Sequence, residues 1–146
     1  MRATQQLQYA IYGVFDLAYN GGARPIRIQE VAARQGIPTR YLEQIFQKLR
    51  RAGLVESKRG PGGGYLLARS PEEISLADVL LAVQGALLTR SGADRNATPE
   101  SPEFVWEFIR EGVEASLQRW TIADLAREAA RRGVNRAQTE PSMYYI

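Results

Sequence analysis

The chain has 146 residues, 45% of them apolar, with 19 Lys and Arg against 16 Asp and Glu, and with no cysteine and no histidine. This suffices for one cored domain with an appended helical arm, and no apolar run is long enough to span a membrane. The missing residue types exclude disulfides, thiolate-held clusters, the common zinc and haem sites and every imidazole-activated nucleophile; only carboxylates remain for a hard cation, and no enzyme is expected.

The net charge of +3 is unevenly placed. Residues 1–69 carry 11 Lys and Arg against 4 Asp and Glu, and residues 70–146 carry 8 against 12. A basic front half joined to an acidic back half fits a nucleic-acid-binding domain with a separate interaction module. The start, Met1-Arg2-Ala3-Thr4, lacks the basic-then-apolar pattern of a signal peptide, so the cytoplasm is the expected location.

In chain order, Thr4 is placed to cap a first helix whose Leu7, Ile11, Val14, Phe15 and Ala18 form a core-facing stripe, ended by Asn20-Gly21-Gly22. Residues 28–35 predict a short second helix stopped by Gly36, and Ile37-Pro38 makes a turn, because proline pushes its predecessor out of helical geometry. Thr39 is expected to cap a third helix running to Arg51, with Leu42, Ile45, Phe46 and Leu49 inward. Two short helices across such a turn are spaced as a helix-turn-helix.

After Gly53 come an apolar step at Leu54-Val55, a glycine-rich tip (Arg59-Gly60-Pro61-Gly62-Gly63-Gly64) and a second strand, Tyr65-Leu66-Leu67. This is the order of a wing. Glycines clear side chains from a tip that must approach the sugar-phosphate backbone and allow the positive φ of a sharp hairpin, and an arginine at its edge suits a narrow minor groove. Beyond it, Ser75 caps a fourth helix bearing Leu76, Val79, Leu80 and Val83, and residues 89–102 are polar and aperiodic. A long helix from Glu103 to about Arg119 presents Trp106, Ile109, Val113, Leu117 and Trp120, more apolar surface than a lone helix keeps in water. A two-fold homodimer through it is expected. Thr121 caps a last helix, Ile122 to Arg132.

The fold class is thus mainly α with a small β-hairpin wing. Its divisions are a winged helix-turn-helix (1–85), a loop (86–102), dimerisation helices (103–136) and a tail (137–146). On the third helix, Thr39, Arg40, Tyr41, Glu43, Gln44 and Lys48 remain as outward candidates once the core face is removed. A carboxylate such as Glu43 accepts from the cytosine amino group and a carboxamide such as Gln44 pairs with adenine; alternatively, Glu43 pairs within its helix with Arg40. Arg50, Arg51 and Lys58 suit phosphate, and Arg59, beside Gly60, suits minor-groove insertion.

Tyr9-Ala10, the run from Ile37 through Gln44, the run from Leu49 through Val55, Arg59 to Leu67 and Ile74 through Val79 together resemble the Rrf-type winged-helix repressor family. That family includes the iron–sulfur cluster regulator and the Gram-positive cysteine-metabolism repressor. The resemblance implies a dimeric transcription factor, a repressor, that binds double-stranded DNA, with helix 103–119 at the dimer contact and the glutamate matching Glu43 in base discrimination. Arg40 departs from the small polar residue often seen there, and Gln6 from a basic one.

In cluster-binding relatives the ligands come mainly from cysteines in the loop before the long helix. That loop has none here, and the first helix offers Gln8 and Tyr12, so no cofactor and no metal are expected. The chain ends Met143-Tyr144-Tyr145-Ile146, similar to the ending of the cysteine-metabolism repressors, which act in complex with O-acetylserine sulfhydrylase. The resemblance makes Tyr144, Tyr145 and Ile146 candidate contacts to that enzyme, with the free carboxylate taken by backbone N–H groups; packing of the tail on the dimer is the other reading. From a different class comes a winged-helix adaptor that binds a protein partner without specific DNA binding.

Overall fold

The computed structural model describes residues 3–85 and 98–137. Helix α1 (Ala3–Asp16) runs into a single π turn (Leu17–Gly21) and is followed by α2 (Ile28–Gln35) and α3 (Thr39–Arg51). The hairpin is β1 (Val55–Lys58) and β2 (Gly64–Leu67); after a 3-10 turn (Pro71–Glu73) come α4 (Leu76–Gln84), α5 (Val105–Arg119) and α6 (Ile122–Arg131).

Helices α2 and α3 match the predicted segments, and Gly36 ends α2 in the left-handed conformation at φ 67°. Leu42, Ile45, Phe46 and Leu49 of α3 are all buried against α1 and α2. The buried face of α1 is rotated from the predicted stripe: Ala10, Val14 and Leu17 are buried, while Leu7, Ile11, Phe15 and Ala18 are only partly covered. Small residues are the reason. A Cβ at Gly13 would lie 2.5 Å from Phe46 Cε1, so α3 crosses α1 over residues that a search for large apolar side chains passes by.

Thr39 does not cap α3. Pro38 holds the cap position, its carbonyl accepts from the Tyr41 and Leu42 N–H groups at 3.1 Å, and Thr39 sits in the first turn. Ser75 and Thr121 do cap: each accepts from the backbone N–H three residues on, and Asp78 and Asp124 return the bond at 3.0 Å.

Helix α5 starts two residues later than predicted and buries none of its residues. Helix α6 folds back onto the chain's own core. Ile122 is fully buried, its N–H reaches Ile74 O at 2.8 Å, and the Leu76 N–H reaches Trp120 O at 2.9 Å. The segment after α6 is strapped to the π turn. Tyr19 Oη donates to Val134 O (2.7 Å), Arg136 stacks over the Tyr19 ring while donating to Tyr19 O (2.7 Å), and the Ala137 N–H donates to Asn20 Oδ1 (2.6 Å).

One buried charge was not foreseen. Asp16, in the apolar stripe of α1, has no exposed surface. Arg34 binds both its oxygens (3.0 and 2.8 Å), Gln35 adds a third bond (2.8 Å), and the carboxylate raises the Arg34 pKa. This fork fixes the end of α1 to the end of α2.

Candidate nucleic-acid interface

With the inner face of α3 committed to the core, Arg40, Glu43, Gln44, Gln47, Arg50 and Arg51 are exposed, and Thr39 and Tyr41 are half-buried. Arg40 lies over the Tyr41 ring, 4.7 Å from its centroid, and donates from Nη2 to Tyr41 Oη at 2.9 Å. The intrahelical alternative for Glu43 is therefore not realised. Arg40 is engaged with Tyr41, and among the described residues Glu43 has no ion pair, so its carboxylate is free to accept from a base or to be held by a donor on the duplex.

Lys48 is placed differently from the other candidates. Its Nζ donates to Gln6 Oε1 at 3.1 Å and lies 3.5 Å from Val83 O, on the side of α3 that faces α1 and α4. Lys48 is half-buried and here turned toward its own domain, because a four-carbon stem at that helical position reaches the neighbouring helices. The same bond gives Gln6 a role inside the fold.

The hairpin pairs Val55 with Leu67 through Lys58 with Gly64, and Lys58, Arg59 and Gly60 are exposed. Its glycines divide by cause. Gly60 and Gly62 have φ of 92° and 75° with open space around them, so backbone conformation requires glycine there. At Gly63 a Cβ would lie 2.3 Å from Lys58 O, and at Gly64 2.4 Å from Ile26 O, so close approach within the protein itself requires it. Tyr65 then ties the wing to the rest: its backbone exchanges bonds with Ile26 at 2.7 and 2.8 Å, and its ring meets Phe46 of α3 edge-on at 4.8 Å. Wing and third helix thus share one rigid contact.

Trp106, Ile109 and Val113 are exposed along α5 and Leu117 is half-buried. Tyr144, Tyr145 and Ile146 lie outside the described residues, as do residues 86–97 of the loop. Sequence reading missed Arg24 and Arg27, which flank the single bridge at Ile26; a one-residue pairing has no periodicity to announce it.

A winged helix whose exposed basic hairpin and third helix are locked together defines a DNA-binding regulator class. The chain belongs to the Rrf2 family, described as iron-dependent transcriptional regulators, whose model matches residues 3–128. It is 46% identical over 133 residues to the transcriptional regulator IscR of Escherichia coli O1:K1, covering 86% of this chain and 80% of that protein. To IscR of Serratia proteamaculans it is 37% identical, covering 86% and 79%. Among solved structures it is similar to T. potens IscR (TM-score 0.75, 32% identity, covering 99% of this chain and 97% of that one). It is also similar to CymR, the global cysteine regulator of B. subtilis (TM-score 0.73, 29% identity, 88% and 98%). An iron–sulfur cluster does not fit this chain's donor set. Iron–sulfur clusters are held by thiolates, with imidazole as the main substitute, and the sequence contains neither. Among the described residues no group of three or more Asp and Glu is disposed to hold a metal ion.

Proposed function

We propose that this regulator is a homodimeric, sequence-specific repressor that reads duplex DNA with α3 and the wing, without a metal cofactor. The observation that carries this is the Phe46–Tyr65 contact, which presents Arg59 and the Arg40–Gln44 face from one rigid unit. Glu43 and Gln44 read base edges, Arg40 and Tyr41 act as a pair, Arg50, Arg51 and Lys58 hold phosphates, and Arg59 enters the minor groove. Residues 1–85 carry DNA contact, and the uncovered apolar face of α5 supplies the two-fold contact that repeats it. Genome-wide mapping of bound DNA tests the whole reading: a palindromic motif upstream of regulated genes is expected, and random occupancy would overturn it.

The regulon is assigned to cysteine and sulfur metabolism. Support comes from the likeness to the global cysteine regulator of B. subtilis and from the Met143-Tyr144-Tyr145-Ile146 ending. In this reading the ending binds O-acetylserine sulfhydrylase. A pull-down checks it: wild type is retained on the immobilised enzyme, and a chain lacking Ile146 is not.

A further inference from the structure

Between the wing and the segment that leads into α2 lies a cavity of about 300 Å³ that the DNA-reading residues do not line. Its walls include Arg24, Arg27, Glu30 and Arg34, with Gly62 and Gly63 of the hairpin closing one side. Three guanidiniums face one carboxylate. Arg34 is already committed to Asp16, and Glu30 stands 3.8 Å from that same Arg34. Arg24 and Arg27 are exposed, and among the described residues neither side chain has an acceptor. The unmatched charge therefore belongs to these two.

Their position is set by the wing. Ile26, between them, exchanges both backbone bonds with Tyr65, and the Gly64 backbone lies too close to Ile26 O to admit a Cβ. Arg24 and Arg27 thus keep a constant register with the hairpin that carries Lys58 and Arg59. Arg27 is also the cap residue of α2, where no side chain accepts from the first N–H groups. Guanidiniums with paired N–H donors beside an uncapped helix start suit a phosphate oxyanion.

We propose that Arg24 and Arg27 form a second phosphate-binding site, occupied by a phosphodiester of the duplex beside the groove that Arg59 enters. The inference rests on the DNA-binding reading above. A free phosphate-bearing metabolite has the same oxyanion chemistry, but the backbone link from Ile26 to the wing at Tyr65, with Gly62 and Gly63 of the hairpin beside both arginines, favours the polyanion. A clamp of this kind adds affinity and register without reading sequence.

The test uses the full chain and three variants: Arg24→Ala with Arg27→Ala, Arg24→Lys with Arg27→Lys, and Arg59→Ala alone. Binding to operator and to random duplex is measured across a salt series. The double alanine variant is expected to weaken both duplexes alike and to lower the log–log salt slope by about two units, while the double lysine variant keeps it. A wild-type slope in the double alanine variant, with Arg59→Ala losing about one unit, overturns this site and leaves the DNA reading intact. No loss in either variant means that the DNA reading itself has failed. Equilibrium dialysis against labelled inorganic phosphate without DNA separates the sources. Retention by wild type and not by the double alanine variant, together with an unchanged slope, gives the site to a free anion and overturns the phosphodiester assignment. Unaltered thermal unfolding of the alanine pair confirms that folding is not the cause.

Discussion

Arg59 and Glu43 are both exposed, and in the proposed reading they contribute different kinds of energy. A guanidinium at the wing edge neutralises phosphate potential, so Arg59→Ala should weaken binding to any duplex and reduce the salt slope by about one unit, as fluorescence anisotropy across a salt series will record. A carboxylate near phosphates is repelled unless a base amino group meets it. Glu43→Ala should therefore leave affinity for the best operator largely intact and broaden the binding-site motif, seen by selection from a random duplex library. Asp16 and Arg34 form an asymmetric pair: the carboxylate is fully buried and the guanidinium reaches solvent. Arg34→Ala strands a buried charge and should cost about 3 kcal/mol in urea unfolding, whereas Asp16→Ala frees a cation that water can reach and should cost less.

At the level of elements, the wing and α6 respond to different perturbations. Alanine at Gly63 or Gly64 drives a Cβ into a backbone carbonyl, so the hairpin cannot close as it stands. Such a variant should keep the helical core by circular dichroism and lose DNA binding in a gel-shift assay. Helix α6 is expected to respond to acid. Glu128, bonded by Arg131 and then by Arg132, is lowered from 4.5 to about 2. The Asp124 carboxyl is lowered too, first by the Thr121 backbone N–H and then by Arg127 and the Thr121 hydroxyl. Carboxylates held below their unfolded values stabilise the fold above pH 4.5 and lose that contribution as pH falls toward 2. Both are half-buried, with 32% and 34% of their side-chain surface open to solvent, so the loss is screened, small and local. Amide exchange at Arg132, Gly133 and Val134, whose N–H groups bond back into α6, should quicken over that range while the α3 core stays protected.

For the molecule as a whole, the proposed two-fold association is the property to test. Phe104, Trp106, Phe108, Ile109 and Val113 are exposed on or beside α5, an apolar grouping of the kind that marks interaction surfaces. Ile109→Glu with Val113→Glu should give a monomer in sedimentation experiments and reduce operator affinity far more than affinity for a half-site. Much of this organisation was legible before any coordinates. The 3.6-residue period placed α2 and α3, the glycine run marked the hairpin, and Ser75 and Thr121 announced their helices, because each signal is local and acts within one turn of chain. What needed the folded chain was every contact between elements distant in sequence. The crossing of α1 over Phe46 depends on Gly13, a residue conspicuous for having no side chain. Lys48 turned inward because neighbours from α1 and α4 came within its reach, and α6 returned to Ile74 through a bridge no periodicity reports. Local chain chemistry therefore specified the parts of a DNA-binding regulator, while the pairing of wing with helix and the setting of Arg24 and Arg27 beside the hairpin arose from packing, since distances across a core are written in no single stretch of residues.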